Sequence, residues 1–504
     1  MPKGAGEVTL VCSGNRLLVS PTTDAIYSLL APVLTYDQAE FSTKHAGPSF
    51  ESTEVECFML DYANRIATMF GFFERIANTL EKAGYTVNVR HMPRANADPK
   101  LFEPNFDNVL EFAELRYRQS ELLATLASYD NGQFNAPPGF GKSKTVLFIC
   151  AMFPKAKILV TADPVVVVRD MLYTELAGAL PRVGIVGGGK HIMRDRIMCA
   201  TFDSLHHIDP QWPDIVLVDE NHQAGAPGIS SKLAQFTDAR MYGLSATTEC
   251  RPDGSDLITE GLFGPVRFFM SYAEALQHGL VGQIEIHWES VFMSRNPCAF
   301  IDDIVERDRI GIWRNTVRNK KIAKDAMAVG DDEAVLVTCR TTEHLANILA
   351  ACPKATLLYA EDTSSVSAMS IYSNIIPEQP LMTSERREQL VNELQNGKPG
   401  IYVSTPILNT GFNATKLRFL IRADGSSGET LSTQIPGRVS RRNDHKSGGF
   451  VRDYMDDFDS TLHGRFKRRR ATYTKHGWPQ IYPGDKTSIL GTLKPGCWQR
   501  AVQK

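Results

Sequence analysis

Ala136-Pro137-Pro138-Gly139-Phe140-Gly141-Lys142-Ser143 is the stretch on which the reading of this 504-residue chain turns. An extended run, Gly132 to Asn135, precedes it, and an apolar run, Val146 to Met152, follows as the start of a helix. Two glycines around one aromatic residue let the backbone turn tightly and aim successive N–H groups inward. With the positive end of the following helix, those donors make a cradle for phosphate. Lys142 then reaches the β- and γ-phosphates and Ser143 ligates Mg²⁺, while Pro138, Gly139, Gly141 and Lys144 complete the cradle. Ala136 stands where the strict pattern has glycine, and an isolated match of this kind also fits a surface turn. A second stretch narrows the choice. Asp219-Glu220-Asn221-His222 closes the apolar run Ile215-Val216-Leu217-Val218. A buried parallel strand ending in two acids sets a Mg²⁺-binding carboxylate, Asp219, beside a base for the attacking water, Glu220. Together the two stretches imply hydrolysis of a nucleoside triphosphate.

Composition sets the class and no more. A chain with 43% hydrophobic and 22% charged residues is an ordinary globular protein, long enough for two to four domains. Nine cysteines without C-x-x-C spacing fit neither a zinc site nor a disulfide framework and suggest a reducing compartment. No window approaches the ~18 consecutive apolar residues of a membrane span, and no signal peptide is visible. The expected location is the cytoplasm, the host's if a phage encodes the chain. A net charge of −2 excludes a chain coated in positive charge but permits a local basic groove.

Periodicity divides the chain. Residues 1–100 read as a small α/β module: a hairpin of Glu7–Cys12 and Arg16–Ser20, a helix over Asp24–Leu34, a helix over Asn64–Lys82 and a strand over Tyr85–Arg90. Lys44, His45, Arg65, Arg75, Arg90, His91 and Arg94 make either a nucleic-acid face of this module or a solvated surface. Residues 101–288 alternate strand and helix, each motif falling at the carboxyl end of a strand, as in an open parallel sheet covered on both faces. After a connector over 289–318, a second alternating block without a phosphate loop runs to about 460. Residues 361–383 read as an exposed insertion. Residues 461–504 read as a basic tail, in which Arg465 to Lys475 holds six bases and no acid.

The motifs resemble those of superfamily 2 helicases over roughly residues 112–460. Arg116 and Gln119 resemble the adenine-reading motif, and Pro137 to Ser143 the phosphate loop. Thr201 to Leu205 resembles a backbone-contacting motif, Asp219-Glu220-x-His222 the hydrolytic motif and Ser245-Ala246-Thr247 the coupling motif. Ser404-Thr405 with Asn409-Thr410-Gly411-Phe412-Asn413 and Gln434-x-x-Gly437-Arg438-x-x-Arg441 resemble the two late motifs. Within the superfamily the layout is similar to phage UvsW-type, RecG- or XPB-like DNA helicases. Gln434 stands where RNA helicases of the DEAD-box type begin the motif with His. Asn221 and Asn413 depart from the usual residues.

The resemblance implies two tandem RecA-like parallel-sheet domains behind the small N-terminal α/β domain, with ATP and Mg²⁺ as cofactors. In that scheme Ser143 and Asp219 hold the metal and Lys142, Glu220, Arg438 and Arg441 act on the phosphates and water. Arg116, Gln119, Pro138, Gly139, Gly141, Lys144, Gly411 and Gln434 bind the nucleotide. Thr161, Thr201, Ser245, Thr247, Thr338, Ser404, Thr405, Arg468 and Arg469 contact nucleic acid or couple it to hydrolysis. The implied activity is ATP-driven unwinding or branch remodelling of DNA (branched, forked, duplex or single-stranded) in phage replication, recombination or repair. The implied chain is a monomer, with replication or recombination proteins as partners and no membrane. Two alternatives stay open: an RNA helicase or remodeller of the same fold, and a nucleotide-switched nucleic-acid clamp. A restriction-enzyme motor subunit is a further reading, although no nuclease site is recognisable.

Overall fold

Asn131–Asn135, the strand that feeds the phosphate loop, lies one place from the edge of an eight-stranded sheet. The sheet order is Lys190–Ile192, Val183–Gly187, Ile197–Thr201, Ile158–Ala162, Ile215–Asp219, Arg240–Ser245, Asn131–Asn135 and Val266–Phe269. Every neighbouring pair is parallel except the hairpin of Val183–Gly187 with Lys190–Ile192. Ile158–Ala162, Ile197–Thr201 and Ile215–Asp219 are buried at every residue. Strands covered on both faces must be apolar throughout, which is why they read as unbroken runs rather than alternating ones. The computed structural model describes residues 6–42, 49–92, 98–162, 168, 172–246, 254–408, 414–441 and 448–485. Among them no helix is long and apolar enough to cross a membrane.

The chain divides into two compact units, residues 1–136 with 141–270 and residues 137–140 with 271–504. In the first unit the N-terminal segment forms a five-stranded sheet of order Phe58–Leu60, Ile66–Met69, Arg16–Ser20, Glu7–Ser13 and Thr86–Met92. It is seated on the helix Asp256–Phe263 and on the loop before Arg240. Leu257 and Ile258 pack against its core of Val8, Leu10, Ile66, Phe72 and Ile76. Asn15 Nδ2 donates to the carbonyls of Phe236 at 2.7 Å and Ala239 at 2.8 Å. Two glycines permit the approach: a Cβ at Gly14 would stand 2.1 Å from Thr237 O, and one at Gly71 2.0 Å from Glu260 O.

Two expectations change here. The helix expected over Asn64–Lys82 is a strand, Ile66–Met69, then a helical turn and the helix Phe73–Lys82. Pairing with the edge of Arg16–Ser20 captures the first apolar residues, a tertiary contact that the helical stripe conceals. Arg75, expected on a nucleic-acid face, instead donates from Nε to Glu260 Oε1 at 2.9 Å. Of the other basic residues in that set, Arg65 pairs with Asp61, while Lys44, His45 and Arg94 lie outside the described residues.

The second unit is built on an all-parallel seven-stranded sheet. Its order is Thr356–Leu358, Gly400–Ser404, Ala334–Thr338, Phe419–Arg422, Gly448–Met455, Gln283–Ser290 and Gln480–Ile481. The strand Gln283–Ser290 pairs over its whole length with Gly448–Met455, so this sheet takes in residues expected on the near side of the boundary at 288. The first part of the expected tail is folded as well, in a sixteen-residue helix, Ser460–Lys475, while residues 486–504 lie outside the described residues. Leu462, Phe466, Arg469, Thr472 and Tyr473 of that helix are buried. Among the described residues, the buried ion pairs of the unit include Arg318 with Asp456 at 2.9 Å, Arg422 with Asp424 at 2.9 Å and Arg469 with Asp453 at 3.0 Å.

Candidate active site

The phosphate loop has the backbone that its sequence predicts. Gly139 and Gly141 take φ of 99° and 101°, in the left-handed region that glycine enters without penalty. The helix Lys142–Met152 begins at once, so its first N–H groups point into the loop. Thr145 N donates to Gly141 O at 2.9 Å and Ala136 N to Ser245 O at 3.0 Å. A residue with a side chain is accommodated at Ala136 because it sits there as part of the core, 2% exposed. Lys142 Nζ donates to Ala136 O at 3.4 Å, a weak bond from which a phosphate can draw it. Lys144, expected to bind nucleotide, is exposed and pairs with Glu175.

Two carboxylates stand at the end of the strand Ile215–Asp219, the first within the field of Lys142. Asp219 is 6% exposed, and burial, then the neighbouring Glu220 charge, push its carboxyl up to about 6 against the pull of Lys142. Glu220 takes a left-handed backbone, φ 55° and ψ 46°, a conformation that costs a non-glycine residue about 1–2 kcal/mol. Strain of this kind persists where the surroundings fix it, and here they do. His222 Nδ1 lies 3.4 Å from Glu220 Oε2 and 3.3 Å from Ser245 Oγ. Asn221 is buried and its Nδ2 donates to Gln133 Oε1 at 3.1 Å, while a Cβ on Gly243 would collide with it at 2.4 Å from Nδ2. The unusual Asn221 is thus a fastener between three strands.

Two desolvated acids beside one ammonium leave a site short of positive charge, which fits a divalent cation. Among the described residues no group of three or more His, Cys, Asp or Glu side chains is arranged to hold a metal. Mg²⁺ takes one or two carboxylates and completes its shell with phosphate oxygens and water. Ser143, in the first turn after the loop, and Asp219 are the residues that would hold it.

Gln119 sits behind the loop. It is 2% exposed, its Oε1 accepts from Arg116 N at 2.8 Å, and a Cβ on Gly141 would stand 3.1 Å from its Nε2. Arg118 enables the turn by adopting φ 59° ahead of the helix Gln119–Ser128. The helix therefore starts at Gln119 itself.

In the second unit Gln434 ends the short helix Glu429–Gln434, and Arg438 lies in the helical turn Pro436–Ser440 that follows. Arg438 is 7% exposed, and burial pushes the Arg441 guanidinium down to about 10, which leaves it charged at neutral pH. Gly411 and Thr247 lie outside the described residues, as do Asn413 and Arg442.

The residues expected to touch nucleic acid divide sharply. Thr161, Thr201, Ser245, Thr338 and Ser404 are all buried, at carboxyl ends of strands. Thr201 Oγ1 bonds Ser204 Oγ at 2.9 Å, Thr338 Oγ1 bonds Asp424 Oδ2 at 3.3 Å and Ser404 Oγ bonds Thr405 O at 2.7 Å. Hydroxyls engaged in this way fasten loops to the sheet. Thr405 keeps partial exposure. Arg469 is corrected outright: at 1% exposure it is bonded to Asp453 and to Tyr454 O, with no guanidinium left for a ligand, while its neighbour Arg468 is exposed. The residue missing from the expected set is His222, whose signal was its place in the Asp-Glu-x-His spacing.

Two protein families match the chain, together over more than half of it. The Type III restriction enzyme, res subunit, family covers residues 112–250, and the Helicase conserved C-terminal domain covers residues 319–443. "Putative helicase 22" of Sulfolobus islandicus filamentous virus (isolate Iceland/Hveragerdi) is 22% identical over 258 residues, 49% of this chain and 43% of that protein, so less than half of the relative's length is matched. Among solved structures, the fragment of a putative HsdR subunit of a type I restriction enzyme from Vibrio vulnificus YJ016 is similar at TM-score 0.51 and 15% identity. It covers 89% of this chain and 91% of its own. The T4 UvsW structure is similar at TM-score 0.41 and 16% identity, over 94% and 99% of the two chains.

Proposed function

Because the chain belongs to the superfamily 2 helicases, we propose that it is an ATP-driven DNA translocase that unwinds or remodels forked and branched DNA. The observation that carries the reading is Glu220, held in a strained backbone beside Asp219 and within reach of His222, which in turn reaches Ser245. A nucleotide-switched clamp has no use for a strained acid poised over the phosphates.

When bound, Mg²⁺ supplies charge neutralisation on the β- and γ-phosphates, with Ser143 and Asp219 as its ligands. Lys142 leaves Ala136 O for the phosphates, and N–H groups of the loop and first helical turn bind their oxygens. Glu220 orients the attacking water and accepts its proton. His222 links that carboxylate to Ser245, so a change in Glu220 is felt at the coupling motif and the reverse. Gln119 supports the loop and presents its amide to the adenine. Arg438 and Arg441 supply further positive charge to the transferring group.

DNA is preferred over RNA as the track because Gln434 opens its motif and because the matching N-terminal family is that of restriction-enzyme subunits. With a viral relative, this favours work on a phage or viral genome, in replication, recombination or repair in the host cytoplasm. Strand separation of a labelled forked DNA duplex tests the reading. Product should form with ATP and Mg²⁺ and not with the Glu220→Gln variant. Separation of RNA duplexes but not of DNA would overturn the assignment of the track.

A further inference from the structure

The helix Ser460–Lys475 carries six basic side chains in a chain whose net charge is −2. The fold accounts for three of them. Arg465 pairs with Asp308, Arg469 with Asp453 and Lys475 with Glu429. His463 on the same helix faces Asp457 at 2.9 Å. Lys467, Arg468 and Arg470 are exposed and have no carboxylate partner among the described residues. Arg468 Nε reaches only Ser427 Oγ, at 3.2 Å, and Arg470 lies over the Phe466 ring at 5.8 Å.

These three cations fall within ~4.5 Å along the helix axis, with Lys467 and Arg470 on one side and Arg468 flanking them. Like charges so placed repel, and among the described residues no carboxylate pairs with them to offset it. The helix dipole does not account for them either, because its favourable field is confined to the last turn, where Lys475 sits. Ser427, the contact of Arg468, lies in the loop just beyond the carboxyl end of the strand Phe419–Arg422. In open parallel sheets ligands gather at that end.

We propose that Lys467, Arg468 and Arg470 form a rail for the sugar-phosphate backbone of the nucleic acid on which this chain acts, a reading that rests on the proposed helicase function. The surface favours a polyanion over a protein partner. Its exposed neighbours are Ala471 and Thr474, and the one aromatic residue beneath it, Phe466, is 4% exposed, so the ridge lacks the apolar centre of a protein interface.

The test is the salt dependence of binding of a labelled forked DNA, read by fluorescence anisotropy. It compares the parent chain, the triple variant K467A/R468A/R470A and a control with equal loss of charge elsewhere, K100A/K155A/K324A. Each phosphate contact contributes about 0.9 to the slope of log K against log salt on duplex and about 0.7 on single strands. The triple variant should lower the slope by about 2–3 and weaken binding at least tenfold, and the control should match the parent. The single variants Lys467→Gln and Arg470→Gln should each lower it by about 1, a result that a misfolded triple variant cannot mimic. Parental slopes in all ridge variants would overturn the rail, with the helicase reading intact so long as DNA stimulates ATP hydrolysis. Absence of stimulation in the parent would instead strike the helicase reading. Loss of binding to an acidic peptide or to anionic vesicles, with the DNA slope unchanged, would also overturn the rail.

Discussion

Replacing Glu220 with glycine should abolish turnover and leave the fold at least as stable as the parent. The backbone at 220 is left-handed, φ 55°, which costs about 1–2 kcal/mol with a side chain present and nothing with glycine. The greater freedom of glycine in the unfolded chain takes back about 0.5–1 kcal/mol. Electrostatics adds a second gain. The Asp219 carboxyl is raised from 3.8 to about 6, first by burial and then by the Glu220 charge. A carboxyl raised in the folded state destabilises it above its unfolded value: the penalty is absent below 3.8, grows with pH and is complete above 6. Roughly 2 units correspond to about 3 kcal/mol at pH 7.5, of which the Glu220 share is on the order of 1 kcal/mol. Glu220→Gln removes the charge alone and should gain about that much, and Glu220→Gly should gain about 1–2 kcal/mol. Stability is read from urea unfolding without nucleotide or Mg²⁺, and turnover from DNA-stimulated ATP hydrolysis, which should fall about 10²–10⁴-fold. A Glu220→Gly variant destabilised by more than ~1 kcal/mol, or hydrolysing ATP within tenfold of the parent, would refute the reasoning.

Arg441→Ala should bind ATP and DNA and lose about 10³–10⁵ of the stimulated rate, with no rescue by Lys because an ammonium lacks the planar fork; single-turnover hydrolysis at saturating ATP and DNA measures it. Arg469→Met strands Asp453 in the interior and should cost about 3–5 kcal/mol, whereas Arg468→Met should stay within ~0.5 kcal/mol, as calorimetry of the two would show. Burial holds the His344 imidazole neutral down to about 3, so between there and 6.5 the unfolded chain binds the extra proton. Stability should therefore be complete above 6.5 and fall by up to ~1.4 kcal/mol per pH unit below it, and His344→Gln should flatten that slope in urea titrations at pH 5 and 7.

The parts of the site legible in the sequence are those whose chemistry is local. The glycines at 139 and 141, the helix starting at Lys142 and the acids ending an apolar strand follow from spacing alone. What sequence could not reveal depends on partners far along the chain. A run of bases at 465–470 reads as one solvated tail until Asp308 and Asp453 are seen to take Arg465 and Arg469 into the fold. Ile66–Met69 has a helical stripe and becomes a strand because Arg16–Leu18 offers it an edge. The hydroxyls at strand ends were legible as a set, but their burial was not, since a threonine that fastens a loop and one that touches a phosphate look the same in sequence. Gln283–Ser290 escaped for a related reason: its partner, Gly448–Met455, lies some 160 residues away.

The most direct test of the central claim is ATP turnover by the parent chain with Mg²⁺, measured alone and with single-stranded, duplex and forked DNA and with RNA of matched length. Hydrolysis should be slow without nucleic acid and strongly stimulated by DNA, most by the forked substrate and only weakly by RNA. Hydrolysis that is indifferent to nucleic acid, or stimulated by RNA above every DNA, would contradict that claim.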